Sequence, residues 1–124
     1  MDDELDYVIY YNGDKVWFND EGEIHRDGDK PAAVHADGSM FWYKDGVLHR
    51  YGDKPACVYA NGTKHWFKNG MLHRHGGRPA IVRSSGSQLW FKDGEYHRED
   101  GPALMYPDGK NLWFVNGKRV SPPL

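Results

Sequence analysis

The stretch Trp90-Phe91-Lys92-Asp93-Gly94-Glu95-Tyr96-His97-Arg98-Glu99-Asp100-Gly101-Pro102-Ala103 has near copies upstream, and their spacing sets the architecture. Tryptophan stands at Trp17, Trp42, Trp66, Trp90 and Trp113, with His-Arg at His25-Arg26, His49-Arg50, His73-Arg74 and His97-Arg98. Pro-Ala follows at Pro31-Ala32, Pro55-Ala56, Pro79-Ala80 and Pro102-Ala103. The interval from Trp42 to Trp66 and from Trp66 to Trp90 is 24 residues. A fixed period in this range marks a repeat architecture, in which each unit buries its apolar face only against its neighbours. Function is then expected on a surface of the stack.

Within a unit, turn signals cut the chain into short runs. Asp-Gly or Asn-Gly occurs at Asn12-Gly13, Asp37-Gly38, Asp45-Gly46, Asn61-Gly62, Asn69-Gly70, Asp93-Gly94, Asp108-Gly109 and Asn116-Gly117, with Ser85-Gly86 a weaker copy. Between apolar runs such a pair predicts a hairpin, because both central residues of a type I′ turn need positive φ. Each unit then reads as three short antiparallel strands, roughly fifteen in all. From Gly13 onward no dozen residues pass without Gly or Pro, and the apolar residues alternate, so helix has no support. The predicted fold is all-β: an elongated antiparallel β-meander of about four and a half 24-residue repeats in a twisted or curled single sheet. An acidic leader over 1–6, one domain over 7–120 and a tail over 121–124 are expected.

A chain of 124 residues has room for one domain with a modest core. Its 15 glycines and 15% aromatic content suit short strands and tight turns. The net charge of −2 gives no overall field toward nucleic acid or membrane, and Asp2, Asp3, Glu4 and Asp6 supply part of the acid in one cluster. Cys57 is the single cysteine, which excludes an internal disulfide, and its neighbours Ala56, Val58 and Tyr59 suggest a buried structural thiol. No apolar run approaches the ~18 residues of a membrane span. The Met-Asp-Asp-Glu opening is the reverse of a signal peptide, so a reducing cytoplasm is the expected compartment.

Alternation assigns the faces. Val16/Phe18, Phe41/Tyr43, His65/Phe67, Leu89/Phe91 and Leu112/Phe114 share one apolar side, predicted to be the core. The tryptophans fall on the other side beside Lys15, Met40, Lys64, Gln88 and Asn111, and are either covered by the Pro-Ala segments or available to stack a ligand. Repetition also lines up the His-Arg pairs as one row of imidazoles and another of guanidiniums. Each Arg either hydrogen-bonds loop carbonyls and Asp27, Asp53 or Asp100, or meets a ligand. The candidate binding residues are therefore Arg50, Arg74, Arg98, His49, His73, His97, Trp42, Trp66 and Trp90. Histidines spread along a sheet do not converge as a zinc site requires, and no nucleophile motif or phosphate loop is present. No catalytic residue, metal or cofactor is expected.

The repeated Trp…Gly…His-Arg…Gly…Pro-Ala pattern, from Tyr10 to Gly117, resembles the tandem β-hairpin repeats of large bacteriophages and giant viruses, relatives of the MORN class. Ordinary MORN units lack the His-Arg and Pro-Ala elements, so the lipid association of that class does not carry over. The resemblance implies a twisted sheet that binds other macromolecules without catalysis. The expected function is a non-enzymatic interaction module, a small viral factor that binds and inhibits or redirects a host protein in the host cytoplasm. The alternative is an anionic ligand, single-stranded nucleic acid or a signalling nucleotide, held by the Arg and aromatic rows.

Overall fold

The computed structural model describes residues 7–123, so the expected acidic leader and the last residue of the tail lie outside the described residues. Every regular element among them is a β-strand, eighteen in number and two or three residues long. Ten strands form one antiparallel sheet in chain order: β1 (Tyr7–Ile9), β2 (Lys15–Trp17), β3 (Ala33–Val34), β4 (Met40–Phe41), β7 (Cys57–Val58), β8 (Lys64–His65), β11 (Ile81–Val82), β12 (Gln88–Leu89), β15 (Leu104–Met105) and β16 (Asn111–Leu112). The intervening strands form four separate hairpins. These are β5 (Tyr43–Lys44) with β6 (Val47–Leu48), β9 (Phe67–Lys68) with β10 (Met71–Leu72), β13 (Phe91–Lys92) with β14 (Glu95–Tyr96), and β17 (Phe114–Val115) with β18 (Lys118–Arg119). The sheet stays open, with β1 and β16 at its edges. Ser121, Pro122 and Pro123 are exposed and carry no strand.

The antiparallel meander is the one the turn spacing predicts, and the difference lies at tryptophan. The alternation suggested one central strand through each Trp; the structure divides it there. Trp42 donates its N–H to Ala56 of the next unit at 2.7 Å, while its carbonyl accepts from His49 of its own unit at 3.1 Å. Trp66 and Trp90 repeat both bonds with Ala80 and His73, and with Ala103 and His97. One residue thus serves the main sheet with its donor and the hairpin with its acceptor. The backbone must turn at that point, so each unit has four strands, not three, and a row of hairpins lies beside the sheet. Consecutive hairpins are joined by single backbone bonds, Gly70 N–H to Leu48 O and Gly94 N–H to Leu72 O, both at 2.8 Å.

The turn signals also divide into two kinds. The hairpin turns Asp45-Gly46, Asn69-Gly70, Asp93-Gly94 and Asn116-Gly117 have positive φ at both residues, as type I′ demands. In the main sheet only the glycine is left-handed, as at Gly38 (φ 96°) and Gly62 (φ 92°). There the preceding Asp or Asn accepts the N–H two residues on, Asp37 from Ser39 at 2.9 Å and Asn61 from Thr63 at 3.0 Å. That side-chain bond stabilises a three-residue loop in place of the two-residue one. The first unit differs again: Asn19 accepts the N–H groups of Glu21 and Glu23 at 3.0 and 2.9 Å, and only a single bridge joins Phe18 to Ile24.

Across the main sheet, directly opposed residues run Val16, Ala33, Phe41, Cys57, His65, Ile81, Leu89, Leu104 and Leu112. This column holds the first member of each pair predicted from alternation, whereas Tyr43, Phe67, Phe91 and Phe114 lie in the hairpins and Phe18 in an isolated bridge. The most enclosed residues, however, include the tryptophans and the Pro-Ala segments, because Ala32, Ala56, Ala80 and Ala103 are wholly buried and Trp17, Trp42, Trp66 and Trp90 are 5–8% exposed. The alanine of each Pro-Ala pair and the indole of these tryptophans are both enclosed, whereas Phe67 and Phe91 of the predicted core column are only half-buried. A buried indole removes roughly 150–250 Å² from water, worth roughly 4–6 kcal/mol at most.

Candidate functional site: a row of grooves between the hairpins

Each His-Arg arginine lies flat on the indole of its own unit. The guanidinium carbons of Arg50, Arg74 and Arg98 sit 3.8, 3.8 and 3.9 Å from the ring centroids of Trp42, Trp66 and Trp90. From there Nη1 donates to the carbonyls of Pro55, Pro79 and Pro102 at 3.0–3.1 Å. Nε of Arg50 donates to Asp29 at 2.9 Å, and Nε of Arg74 to Asp53 at 2.8 Å, both across to the preceding loop. Arg98 has Gly77 at the equivalent position, which offers no carboxylate, and its Nε turns to Asp100 at 3.3 Å. The hydrogen bonds from Arg50, and then from Lys54, hold the Asp29 carboxyl down to about 2. The guanidinium row therefore binds units together, and the Trp row carries those guanidiniums on its faces.

The imidazoles have an equally defined place. Nδ1 of His25, His49, His73 and His97 accepts the backbone N–H of Asp45, Asn69, Asp93 and Asn116 at 2.9–3.0 Å. A backbone N–H can only donate, so Nδ1 is bare and Nε2 holds the proton in the neutral ring. Nε2–H then turns to the residue two positions on: Asp27 at 2.8 Å, His75 Nδ1 at 3.4 Å and Glu99 at 3.4 Å. Unit two has Tyr51 there, whose ring meets that of His49 edge-on with centroids 4.6 Å apart, and Nε2 of His49 is buried without a hydrogen-bond partner.

Between successive hairpins open three like grooves. The first, of about 220 Å³, has Tyr43 and Lys44 on one wall; the second, of about 320 Å³, has Phe67 and Lys68; the third, of about 380 Å³, has Phe91 and Lys92. The opposite wall is the His-Arg loop of the preceding unit. The nine residues singled out from the sequence all line these grooves. What sequence reasoning missed is the lysine. Lys44, Lys68 and Lys92 precede the Asp/Asn-Gly turns at the same period, and that regularity was the available signal. Lys44 is held over the ring and against the hydroxyl of Tyr51, whereas Lys68 and Lys92 enter no ion pair or hydrogen bond. The central groove is lined by Arg50, Lys54, Lys68, Arg74 and Asp53; Arg50 and Lys54 pair with Asp29 and Arg74 with Asp53, which leaves Lys68 without a carboxylate. Burial first, and then Lys44 and Lys68, pushes the His49 imidazole below its usual range; burial, His75 and Lys68 lower His73 likewise.

The central groove also contains a second unsatisfied donor. Trp42 and Trp90 give their indole N–H to the carbonyls of Asp29 and Gly77, at 3.2 and 2.8 Å. Both carbonyl residues are left-handed, φ 55° and 68°. Asp53, the equivalent residue facing Trp66, is not among the positive-φ positions, so the loop runs differently and Trp66 Nε1 stays buried without a partner.

Cys57 is buried, and that burial pushes its thiol up to about 12, so it packs as a small apolar residue. Among the described residues no group of three or more His, Cys, Asp or Glu is placed to hold a metal ion, and no helix is long and apolar enough to cross a membrane. Set against known protein families and curated proteins, the chain matches none of them.

Proposed function

We propose that this protein is a non-enzymatic interaction module, and that it binds a macromolecular partner along its row of inter-hairpin grooves. The observation that carries this reading is the repetition of one groove three times in register, with unpaired Lys68 and Lys92 at its lip. Val47 and Met71 lie half-exposed directly across their hairpins from Lys44 and Lys68. A mixed stripe of exposed apolar and cationic side chains on a stiff repeat is the kind of surface that docks protein. The partner is a host protein if the viral resemblance reflects origin, and inhibition or redirection of that partner is the expected consequence. Single-stranded nucleic acid is the weaker reading, because stacking needs open aromatic faces and each row tryptophan is at least nine-tenths buried beneath its own arginine.

The test is affinity capture from lysate of the native cell with the wild type and with the double variant Lys68→Glu/Lys92→Glu. A partner retained by the first and released by the second supports the groove row. Equal retention by both would place binding elsewhere and overturn it.

A further inference from the structure

The repetition of the grooves constrains the chemistry and the spacing of what can lie in them. Each unit contributes two strands to the main sheet, so equivalent points on neighbouring units are ~10 Å apart. Lys44, Lys68 and Lys92 are such points. A polyproline II segment rises ~3.1 Å per residue with three residues per turn, so every third side chain lies on one face at ~9 Å intervals. That interval matches the groove repeat, whereas an extended β-strand places residues three apart on opposite faces.

Three observations favour an anionic occupant. Lys68 and Lys92 lack intramolecular partners. The central groove is lined by four cations and one carboxylate, and with Arg50 and Lys54 bound to Asp29 and Arg74 to Asp53, Lys68 is the cation left without a carboxylate there. Finally, two donors in that groove, His49 Nε2–H and the indole N–H of the nine-tenths buried Trp66, have no acceptor. Carboxylate supplies acceptors only, and so complements every unmet group there. The exposed ring of Tyr51 stands at the mouth beside Lys44, where a proline ring can pack.

We infer that the groove row is a docking site for an acidic polyproline II segment of a partner protein, with a carboxylate at every third residue over at least seven residues. This rests on the interaction-module reading above and names the partner's chemistry. The charge contacts are solvent-facing, each contributing roughly twofold to fivefold in affinity, and their strength comes from phased repetition.

The probe is a fluorescein-labelled twelve-residue peptide with glutamate at every third position and proline elsewhere, titrated with the full chain by fluorescence polarisation. The control peptide has the same composition with its four glutamates consecutive. Binding of the phased peptide about tenfold tighter than the control is expected. Lys68→Gln and Lys92→Gln should each weaken the phased peptide roughly twofold to fivefold and leave the control unchanged. Equal binding of both peptides overturns the phasing, and tighter binding of an octathymidylate than of either peptide overturns the acidic-peptide assignment in favour of nucleic acid. Association of the chain with itself, seen by sedimentation and abolished by the same lysine variants, would make a second copy the occupant and equally overturn it. If neither peptide binds while cell-lysate capture remains sensitive to Lys68 and Lys92, the partner chemistry fails and the interaction module stands. If capture is insensitive as well, both fail.

Discussion

Trp66 and Trp90 occupy the same position in consecutive units, yet the structure holds them differently. Trp90 sits in a continuous apolar cluster with Ile81, Leu89, Ala103 and Leu104, and its indole donates to Gly77. The main-sheet row nearer Trp66 runs through Cys57 and His65, and its indole donates to nothing. The difference lies at one loop position. Gly77, like Asp29 before it, is left-handed and turns its carbonyl to the ring, while Asp53 keeps ordinary φ and its carbonyl does not reach the indole. The same repeat is thus tuned for packing in the C-terminal half and left with unmet donors at its centre.

The comparison breaks most sharply on truncation. Trp90→Ala should cost ~4–5 kcal/mol and Trp66→Ala nearer ~3 kcal/mol, because the cavity at Trp90 opens within a denser apolar cluster and strands the Gly77 carbonyl. Urea unfolding of both variants measures this, and an equal or larger loss at Trp66 would remove the distinction drawn between the two units.

Much of this was legible beforehand, for reasons that can be named. Asp/Asn-Gly pairs fixed strand ends, and alternation located the sheet column through Phe41, His65 and Leu89. Alternation failed at tryptophan because it assumes one strand in one sheet, whereas Trp42 divides its backbone bonds between sheet and hairpin. The Arg and His rows were visible as periodic residues, and the loop carbonyls and Asp100 expected of the arginines are bonded, but the partners that cross between units lie 19 to 21 positions away, as with Arg50 and Asp29 or His97 and Asn116. Contacts at that separation depend on the stacking rotation between units, which local sequence does not encode. Lys44, Lys68 and Lys92 were overlooked because a lysine before a turn is the ordinary composition of a solvent-facing hairpin.

The arginine bonds come next in size. Arg74→Lys keeps the charge but loses the flat stack on Trp66 and the fork to Asp53 and Pro79, for an expected loss of ~1–3 kcal/mol. Arg98→Lys should cost less, since its bond to the exposed Asp100 is longer at 3.3 Å. Thermal melting of the pair ranks them, and a reversed order would show that the apolar setting of Trp90 dominates the ion pair.

A smaller and more pointed contrast comes from phenylalanine. Trp90→Phe removes a made hydrogen bond and leaves the Gly77 carbonyl unsatisfied, whereas Trp66→Phe deletes a donor that already lacks a partner. The first should therefore be costlier than the second by ~1–2 kcal/mol. In the wild type, the indole proton of Trp66 should also exchange faster than those of Trp42 and Trp90. Equal exchange would mean that the loop at Asp53 reaches the ring in solution.

The smallest expected effect is a drift of stability with pH, and it separates the histidines by the company they keep. Burial is the main cause lowering His49, His65 and His73, with nearby cations adding to it, while His25 and His97 point Nε2 at Asp27 and Glu99. For a histidine lowered on folding, the unfolded chain binds more protons just below the ordinary value of about 6.5, so stability rises with pH through that window. Its contribution is complete above about 6.5 and declines as pH falls toward the lowered folded value. Protonation at Nδ1 would also cost His49 and His73 the turn N–H of Asn69 and Asp93, releasing one hairpin from the next. Melting should accordingly fall between about pH 7 and pH 5, well above the range in which Asp29, held down to about 2, begins to matter. Tyr51→Glu gives His49 the acidic neighbour that His97 has in Glu99, so its titration, followed by ring-proton NMR, should move up while that of His73 stays in place. A melting temperature flat across that interval would show that these histidines titrate alike in the folded and unfolded chain, and a His49 titration unmoved by the new carboxylate would show that Nε2 does not face position 51 in solution.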